Sequence, residues 1–112
     1  MGRVIFLGNS LAQLRSLPPK ARAAFVWAID QLEHSPTTLP IDPDRGVETI
    51  PLSGDLPLFR IAVRIETRDP GYRGVYHTDG PTVHFIRFAR RDPATYKGLR
   101  KALRLLQGIE EA

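Results

Sequence analysis

The chain has 112 residues, of which 42% are apolar and 25% are charged. These values exclude a disordered protein, and we expect residues 1–112 to form a single domain around one hydrophobic core. The chain has no cysteine, which excludes a disulfide framework and a thiolate metal site. The apolar run near the N-terminus, VIFL, is too short for a signal-peptide core or a membrane span, so we expect a cytoplasmic protein.

The net charge of +4 is concentrated in the second half of the chain. Residues 57–112 carry eleven Lys and Arg against six Asp and Glu, whereas residues 1–56 carry five against six. Thirteen of the sixteen cations are arginines, and the planar guanidinium suits bidentate contact with phosphate. The bias indicates a polyanion or an acidic protein partner. A genome that favours arginine codons explains the composition equally well.

The first third of the chain predicts a strand followed by a helical hairpin. The strand, with its apolar run buried, covers Arg3–Leu7, and the short helix is capped by Asn9 or Ser10 and runs through Leu17. Pro18-Pro19 ends that helix and begins a second, which runs to about His34. The leucines of the first helix recur every three residues, at Leu11, Leu14 and Leu17. The second helix has a buried stripe at helical spacing, formed by Ala21, Phe25, Ala28, Ile29 and Leu32.

The remainder predicts an ordered loop, an antiparallel meander and a final helix. The loop spans Ser35–Val47 and contains three prolines. Four strands follow, at Val47–Leu52, Leu58–Thr67, Tyr72–Thr78 and Thr82–Ala89, and Asp92-Pro93 then begins a C-terminal helix. This order predicts an α+β fold, in which an N-terminal strand and a helical hairpin pack on a small antiparallel sheet.

Strand alternation predicts a groove lined by cations. Phe59, Ile61, Val63 and Ile65 share one face of their strand, which leaves Arg60 and Arg64 on the other. In the next strand Arg73 and His77 share a face. If the two strands are neighbours, Arg60, Arg64, Arg73 and His77 line one groove, and Arg90 ends the strand that follows. Clustered cations repel one another, so such a groove indicates an anionic ligand, although one β-bulge would change which residues face it.

Two stretches of the chain resemble the RelE/ParE superfamily of bacterial toxins. GYRGVYHTDGPTVHFIRFARRDPATY is similar to the family's Tyr-Arg strand, tight turn and apolar strand that ends in a basic cluster and a tyrosine. LAQLRSLPPKARAAFVWAIDQLEHSP is similar to the family's helical hairpin. The resemblance implies the toxin of a toxin–antitoxin pair, whose partner is an acidic antitoxin protein.

The RelE-like branch implies an endoribonuclease. Such toxins cut messenger RNA on the ribosome, in contact with 16S ribosomal RNA, by attack of a ribose 2′-hydroxyl on the adjacent phosphate, without a metal or other cofactor. By position in the motifs, the resemblance assigns catalytic roles to Arg73, Arg90 and Tyr96. Substrate-binding positions implied by the motif or by the surrounding charge are Arg60, Arg64, His77, Arg91 and Lys97.

The general base stays open at this stage. Arginine is almost always charged and is a poor base. Tyr96 is one candidate, because neighbouring guanidiniums would lower its pKa, and His77 is the other, because histidine titrates near neutral pH. The family's pattern implies one basic residue at position 60 and a second at position 62, where this chain has Ala62. Arg64 is a possible replacement for it.

Two other functions remain open. The ParE-like branch shares the fold but poisons DNA gyrase and lacks the RNase residues, and a nontoxic relative would bind only its partner. Ala62 and the long connection Arg68–Gly71 favour these alternatives. Individual residues also have structural interpretations. Tyr72 and Tyr76 are expected to pack in the core, His77 and His84 to be a surface and a half-buried strand histidine, and Tyr96 to pack beside Leu99.

Overall fold

The computed structural model describes residues 2–52, 57–66 and 70–91. The helices are α1 (Ser10–Ser16) and α2 (Pro19–His34), and a short 3-10 turn covers Pro43–Arg45. The strands are β1 (Arg3–Phe6), β2 (Val47–Pro51), β3 (Leu58–Val63), β4 (Tyr72–Asp79) and β5 (Thr82–Arg90). The predicted C-terminal helix, with Tyr96 and Lys97, lies outside the described residues. Within the described ranges, no helix is long and apolar enough to cross a bilayer.

The five strands form one sheet in the order β1-β5-β4-β3-β2. Three pairs of neighbours are antiparallel, and β1 pairs with β5 in parallel. Gly80, at φ 58°, supplies the left-handed conformation for the short turn between β4 and β5. The predicted α+β class, with a helical hairpin packed on a mainly antiparallel sheet, is confirmed.

Both helices pack on one face of the sheet and enclose the core. The predicted stripe of α2 is confirmed, since every member from Ala21 to Leu32 is buried. Phe25 lies edge-on to Phe88, with ring centroids 5.2 Å apart. It fits because Gly74 has no side chain: a Cβ there would come within 2.9 Å of the Phe25 ring. Leu14 of α1 and Leu17 directly after it are buried, whereas Leu11, which has the same three-residue spacing, is 37% exposed.

A β-bulge in the pairing of β4 with β5 decides which side chains of β5 reach the core. Val75 pairs with Arg87, but the next residue, Tyr76, pairs with Phe85, so Ile86 is an extra residue. Phe85 and Phe88 therefore lie on the same face although they are three residues apart, and both are buried. The bulge places Arg87 on the opposite face.

The structure corrects two of the predicted strands. The described part of β3 pairs only to Val63, whereas the sequence predicted pairing to Thr67. Its neighbours begin at Val47 and Tyr72, directly opposite Val63, so the regular pairing ends there, and the N–H of Arg64 bonds to the carbonyl of Gly46 just before β2. The predicted burial of the apolar run from Val4 to Leu7 is also wrong, because all four residues are only half-buried and Ile5 faces away from the helices.

Beyond the end of β1, a side chain of α1 continues the hydrogen bonding of β5. The β1–β5 pairing ends at Phe6 and Phe85, and the N–H of Leu7 donates to the carbonyl of Phe85 at 2.9 Å. Further along, the N–H of Phe88 donates to Oε1 of Gln13 at 3.0 Å. The helix thereby satisfies a backbone donor that the short strand does not reach.

Candidate functional site

The sheet face opposite the helices carries Arg60, Arg73 and Arg87 in two adjacent rows. Directly paired residues of antiparallel strands share a face, so the register defines each row. Across β2, β3, β4 and β5, one row is Ile50, Arg60, Val75 and Arg87, and the next is Glu48, Ala62, Arg73 and Ala89.

Three of the predicted arginines line one concavity of about 310 Å³, which we call the arginine groove. Arg60 and Arg73 contribute from β3 and β4, and Arg64 contributes from the residue that follows β3. Glu48 of β2 also lines the groove, together with Gly46 at its rim. Three cations and one carboxylate make the groove electropositive, and its volume suits a small anionic group.

Arg73 is the most enclosed of these arginines. It is only 3% exposed and lies in register between Ala62 and Ala89, whose short side chains leave it room. Its Nη1 donates to the carbonyl of Tyr72 at 3.0 Å. Because solvent screens a buried charge less than an exposed one, a guanidinium held here acts more strongly on a nearby anion than a surface arginine does.

Arg60 and Arg64 form the more accessible wall of the arginine groove. Arg60 is half-buried, and within the described part of the chain its Nε has no hydrogen-bond partner. Arg64 is exposed, and its backbone N–H donates to the carbonyl of Gly46 at 2.9 Å. This backbone bond holds the start of the Arg64 side chain at the rim of the groove.

His77 does not line the arginine groove. The register places it on the same face as Arg73, as predicted, but beyond Val75 and opposite Leu58 and His84. The imidazole ring centroids of His77 and His84 are 5.9 Å apart. The prediction that His77 is a surface residue is wrong: it is 6% exposed, because β4 is an inner strand with neighbours on both sides.

The two arginines at the end of β5 lie apart from Arg73 in the register. Arg90 pairs with Tyr72, so the register puts it on the helix side of the sheet, and Ala89 is the direct neighbour of Arg73. Both Arg90 and Arg91 are exposed, and the N–H of Arg91 donates to the carbonyl of Gly71 at 2.8 Å. Tyr96 and Lys97 lie outside the described residues, so their catalytic and binding roles stay predictions, as do those of Arg90 and Arg91.

Two charged residues on this face were not among the site residues predicted from the sequence. Arg87 is half-buried and lies across Val75 from Arg60, because the bulge turns it away from the core. The spacing of Phe85 and Phe88, three residues apart in a strand with a period of two, is the signal that indicates such a bulge. Glu48 was also missed, although alternation in VETIP places it on the face opposite Val47 and Thr49.

Tyr72 and Tyr76 pack on the core side, as predicted. Tyr76 is 1% exposed and stacks on Phe59 with ring centroids 5.1 Å apart. Burial raises the pKa of the Tyr76 phenol well above its ordinary value, so this group is neutral and inert as a base near neutral pH. Tyr72 is half-buried against the same core. Among the described residues, no three His, Asp or Glu side chains come together as a metal site would require.

Solved structures share this architecture. An archaeal RelE–RelB complex from Pyrococcus horikoshii OT3 matches 83% of this chain and 98% of its own, with a TM-score of 0.55 and 23% identity. The chain has the fold of RelE toxins. The isolated RelE toxin from E. coli shares the RelE fold over 91% of this chain and 99% of its own, with a TM-score of 0.57 and 19% identity.

The RelE–RelB complex of Methanococcus jannaschii also has this fold, with a TM-score of 0.55 at 18% identity over 78% of this chain and 89% of its own. No family model matches the sequence, and no curated protein matches it at a significant level. The RelE fold predicted from the sequence motifs is therefore confirmed by structure, at an identity too low for ordinary sequence comparison to detect.

Proposed function

We propose that this protein is the RelE-like toxin of a toxin–antitoxin pair and acts as an endoribonuclease on messenger RNA in the cytoplasm. One observation carries the proposal: a sheet with the RelE fold presents Arg60, Arg64 and the buried Arg73 in a single groove. Cations on adjacent strands repel one another, and an anion such as a phosphodiester offsets that repulsion. Arginine is also the side chain best suited to bind a phosphate through two parallel hydrogen bonds.

The proposed reaction needs no metal. The ribose 2′-oxygen forms a bond to phosphorus, its proton passes to a base, and the bond to the 5′-oxygen breaks as that oxygen takes up a proton. The intermediate gains negative charge on the phosphoryl oxygens, which preorganised guanidiniums stabilise. We assign this stabilisation to Arg73, with Arg60 and Arg64 binding the adjoining backbone.

The remaining roles follow from the resemblance. Arg90 and Tyr96 would complete the catalytic set, and Arg91 and Lys97 would bind substrate or ribosomal RNA. Tyr96 is favoured over His77 as the base, because His77 lies beyond Val75 and does not line the arginine groove. Arg64 and Ala62 line the same groove. This position supports a role for Arg64 as the replacement for the basic residue missing at position 62.

The proposed partners are programmed ribosomes and an acidic antitoxin. Of the similar solved structures, those from Pyrococcus horikoshii, Methanococcus jannaschii and E. coli RelBE are toxin–antitoxin complexes. The excess of cations in residues 57–112 offers a complementary surface for an acidic protein. An antitoxin that covers the arginine groove would block the phosphate site directly.

The decisive experiment is cleavage of a defined messenger with and without programmed ribosomes, in buffer containing EDTA. Arg73→Ala should slow ribosome-dependent cleavage by about 100-fold or more, since it removes the main electrostatic stabiliser. Arg64→Ala should weaken cleavage less, and because Arg64 is exposed this change should leave folding intact. The matched control is Arg15→Ala, an exposed arginine of α1 that does not line the arginine groove. Full activity of folded Arg73→Ala would contradict the proposal.

Ala62 favours a second candidate, a ParE-like gyrase poison without RNase activity. In that case the wild-type protein would not cut messenger RNA but would cause gyrase-dependent DNA breaks. A nontoxic relative would do neither and would still bind its antitoxin. The same purified proteins, assayed with ribosomes and with gyrase, separate the three functions.

A further inference from the structure

A second concavity, of about 530 Å³, lies on the helix side of the 3-10 turn, and we call it the lysine groove. Lys20, Ala23 and Ala24 of α2 form one wall, and Asp44 and Arg45 of the turn form the other. Lys20 and Ala23 are exposed, and the alanines present no side chain large enough to narrow the space. Sequence reasoning assigned no function to these residues.

The lysine groove lies next to the arginine groove. Both are lined by Pro43, Gly46 and Arg64, so the two concavities meet at the rim where the backbone of Arg64 bonds to Gly46. The φ of 69° at Gly46 favours glycine at this position. A ligand that extends from one groove past Arg64 therefore enters the other.

The charges around the lysine groove have a small positive excess. Lys20, Arg45 and Arg64 contribute three cations, and Asp44 in the lining and Asp42, which pairs with Arg45, contribute two carboxylates. Arg45 is held in place, because it forms an ion pair with Asp42 and its guanidinium lies 4.9 Å from the ring centre of Trp27. Half of the Arg45 side chain nevertheless remains exposed, so it can contact a ligand.

We infer that the lysine groove binds the single-stranded RNA backbone that continues from the arginine groove, with Lys20 and Arg45 as phosphate contacts. The inference rests on the proposed function, because it takes the ligand of the arginine groove to be RNA. Sequence-independent binding of single strands uses a cationic groove that follows the backbone over several nucleotides. The arginine groove alone accommodates only a short part of such a strand, and the lysine groove extends the path around the turn.

The test is titration of the isotopically labelled protein with 2′-O-methyl oligoribonucleotides, which lack the attacking hydroxyl. One oligonucleotide has about three nucleotides and the other about nine, to fill one groove or both. Backbone amide NMR signals of Ala23 and Asp44 should shift only with the longer strand. Lys20→Ala should weaken binding of the longer strand about 3- to 10-fold at low salt and leave the shorter unchanged, whereas Arg15→Ala should change neither.

The salt dependence gives a second measure. Losing one phosphate contact should reduce the slope of log affinity against log salt by about 0.7 for a single strand. If Arg73→Ala weakens both oligonucleotides while Lys20→Ala behaves like Arg15→Ala, the inference is wrong and the proposed function stands. If the wild-type protein binds neither strand but still cuts messenger RNA on programmed ribosomes, the inference is wrong and the proposed function stands. If Lys20→Ala impairs only antitoxin binding, the groove belongs to a protein partner and the inference is wrong.

Discussion

Replacing Gly46 by alanine should destabilise the protein more than replacing a glycine that has the same positive φ but no neighbouring atoms near its Cβ position. Gly46 has φ 69°, and a Cβ there would collide with the backbone carbonyl oxygen of Arg64. An alanine in the left-handed region costs about 1–2 kcal/mol. Overpacking against a fixed backbone adds about 1–3 kcal/mol, so we expect a loss of about 2–5 kcal/mol in the free energy of unfolding.

The matched control for this change is Gly80→Ala. Gly80 has φ 58°, but no heavy atom lies within 4 Å of its ideal Cβ position. This variant should lose only the conformational cost of about 1–2 kcal/mol. Urea unfolding of both variants, followed by circular dichroism, measures the difference. If Gly46→Ala is no less stable than Gly80→Ala, the close approach to Arg64 is not a constraint and the argument fails.

Three further predictions concern the core, the sheet edge and a surface ion pair. Phe25→Ala should cost about 3–5 kcal/mol in urea unfolding, because Phe25 is fully buried; a loss below 1 kcal/mol would contradict the packing. Gln13→Leu should remove the acceptor of the Phe88 N–H and speed hydrogen exchange at that amide, while unchanged exchange would refute the bond. The hydrogen bond from Arg45 holds the pKa of Asp42 below its ordinary value. The ion pair therefore stabilises the fold at neutral pH, and this contribution is lost as the pH falls through the lowered pKa. NMR titration of Arg45→Ala should show the Asp42 pKa rising towards that of a free carboxyl, and an unchanged pKa would count against the pair.

Much of the fold was predictable because its signals are local. The spacing of Ala21 through Leu32 identifies the buried face of α2, and Pro18-Pro19 marks where one helix gives way to the next. Alternation in the LFRIAV segment placed Ile61 and Val63 in the core and Arg60 on the other face. Periodicity and proline chemistry act within a few residues, so the sequence alone carries this information.

The sequence also determined which chemistry is available: an excess of arginine in the second half, no cysteine and a Tyr-Arg strand motif. Only the tertiary structure decided which arginines meet. Arg64 lines the arginine groove through a backbone bond to Gly46, eighteen positions earlier, and His77 is displaced from it by Val75. The bulge at Ile86 placed Arg87 on the same face as Arg73. Pairing register, bulges and loop contacts arise between distant segments, and a one-residue change in any of them moves a side chain to the other face of the sheet.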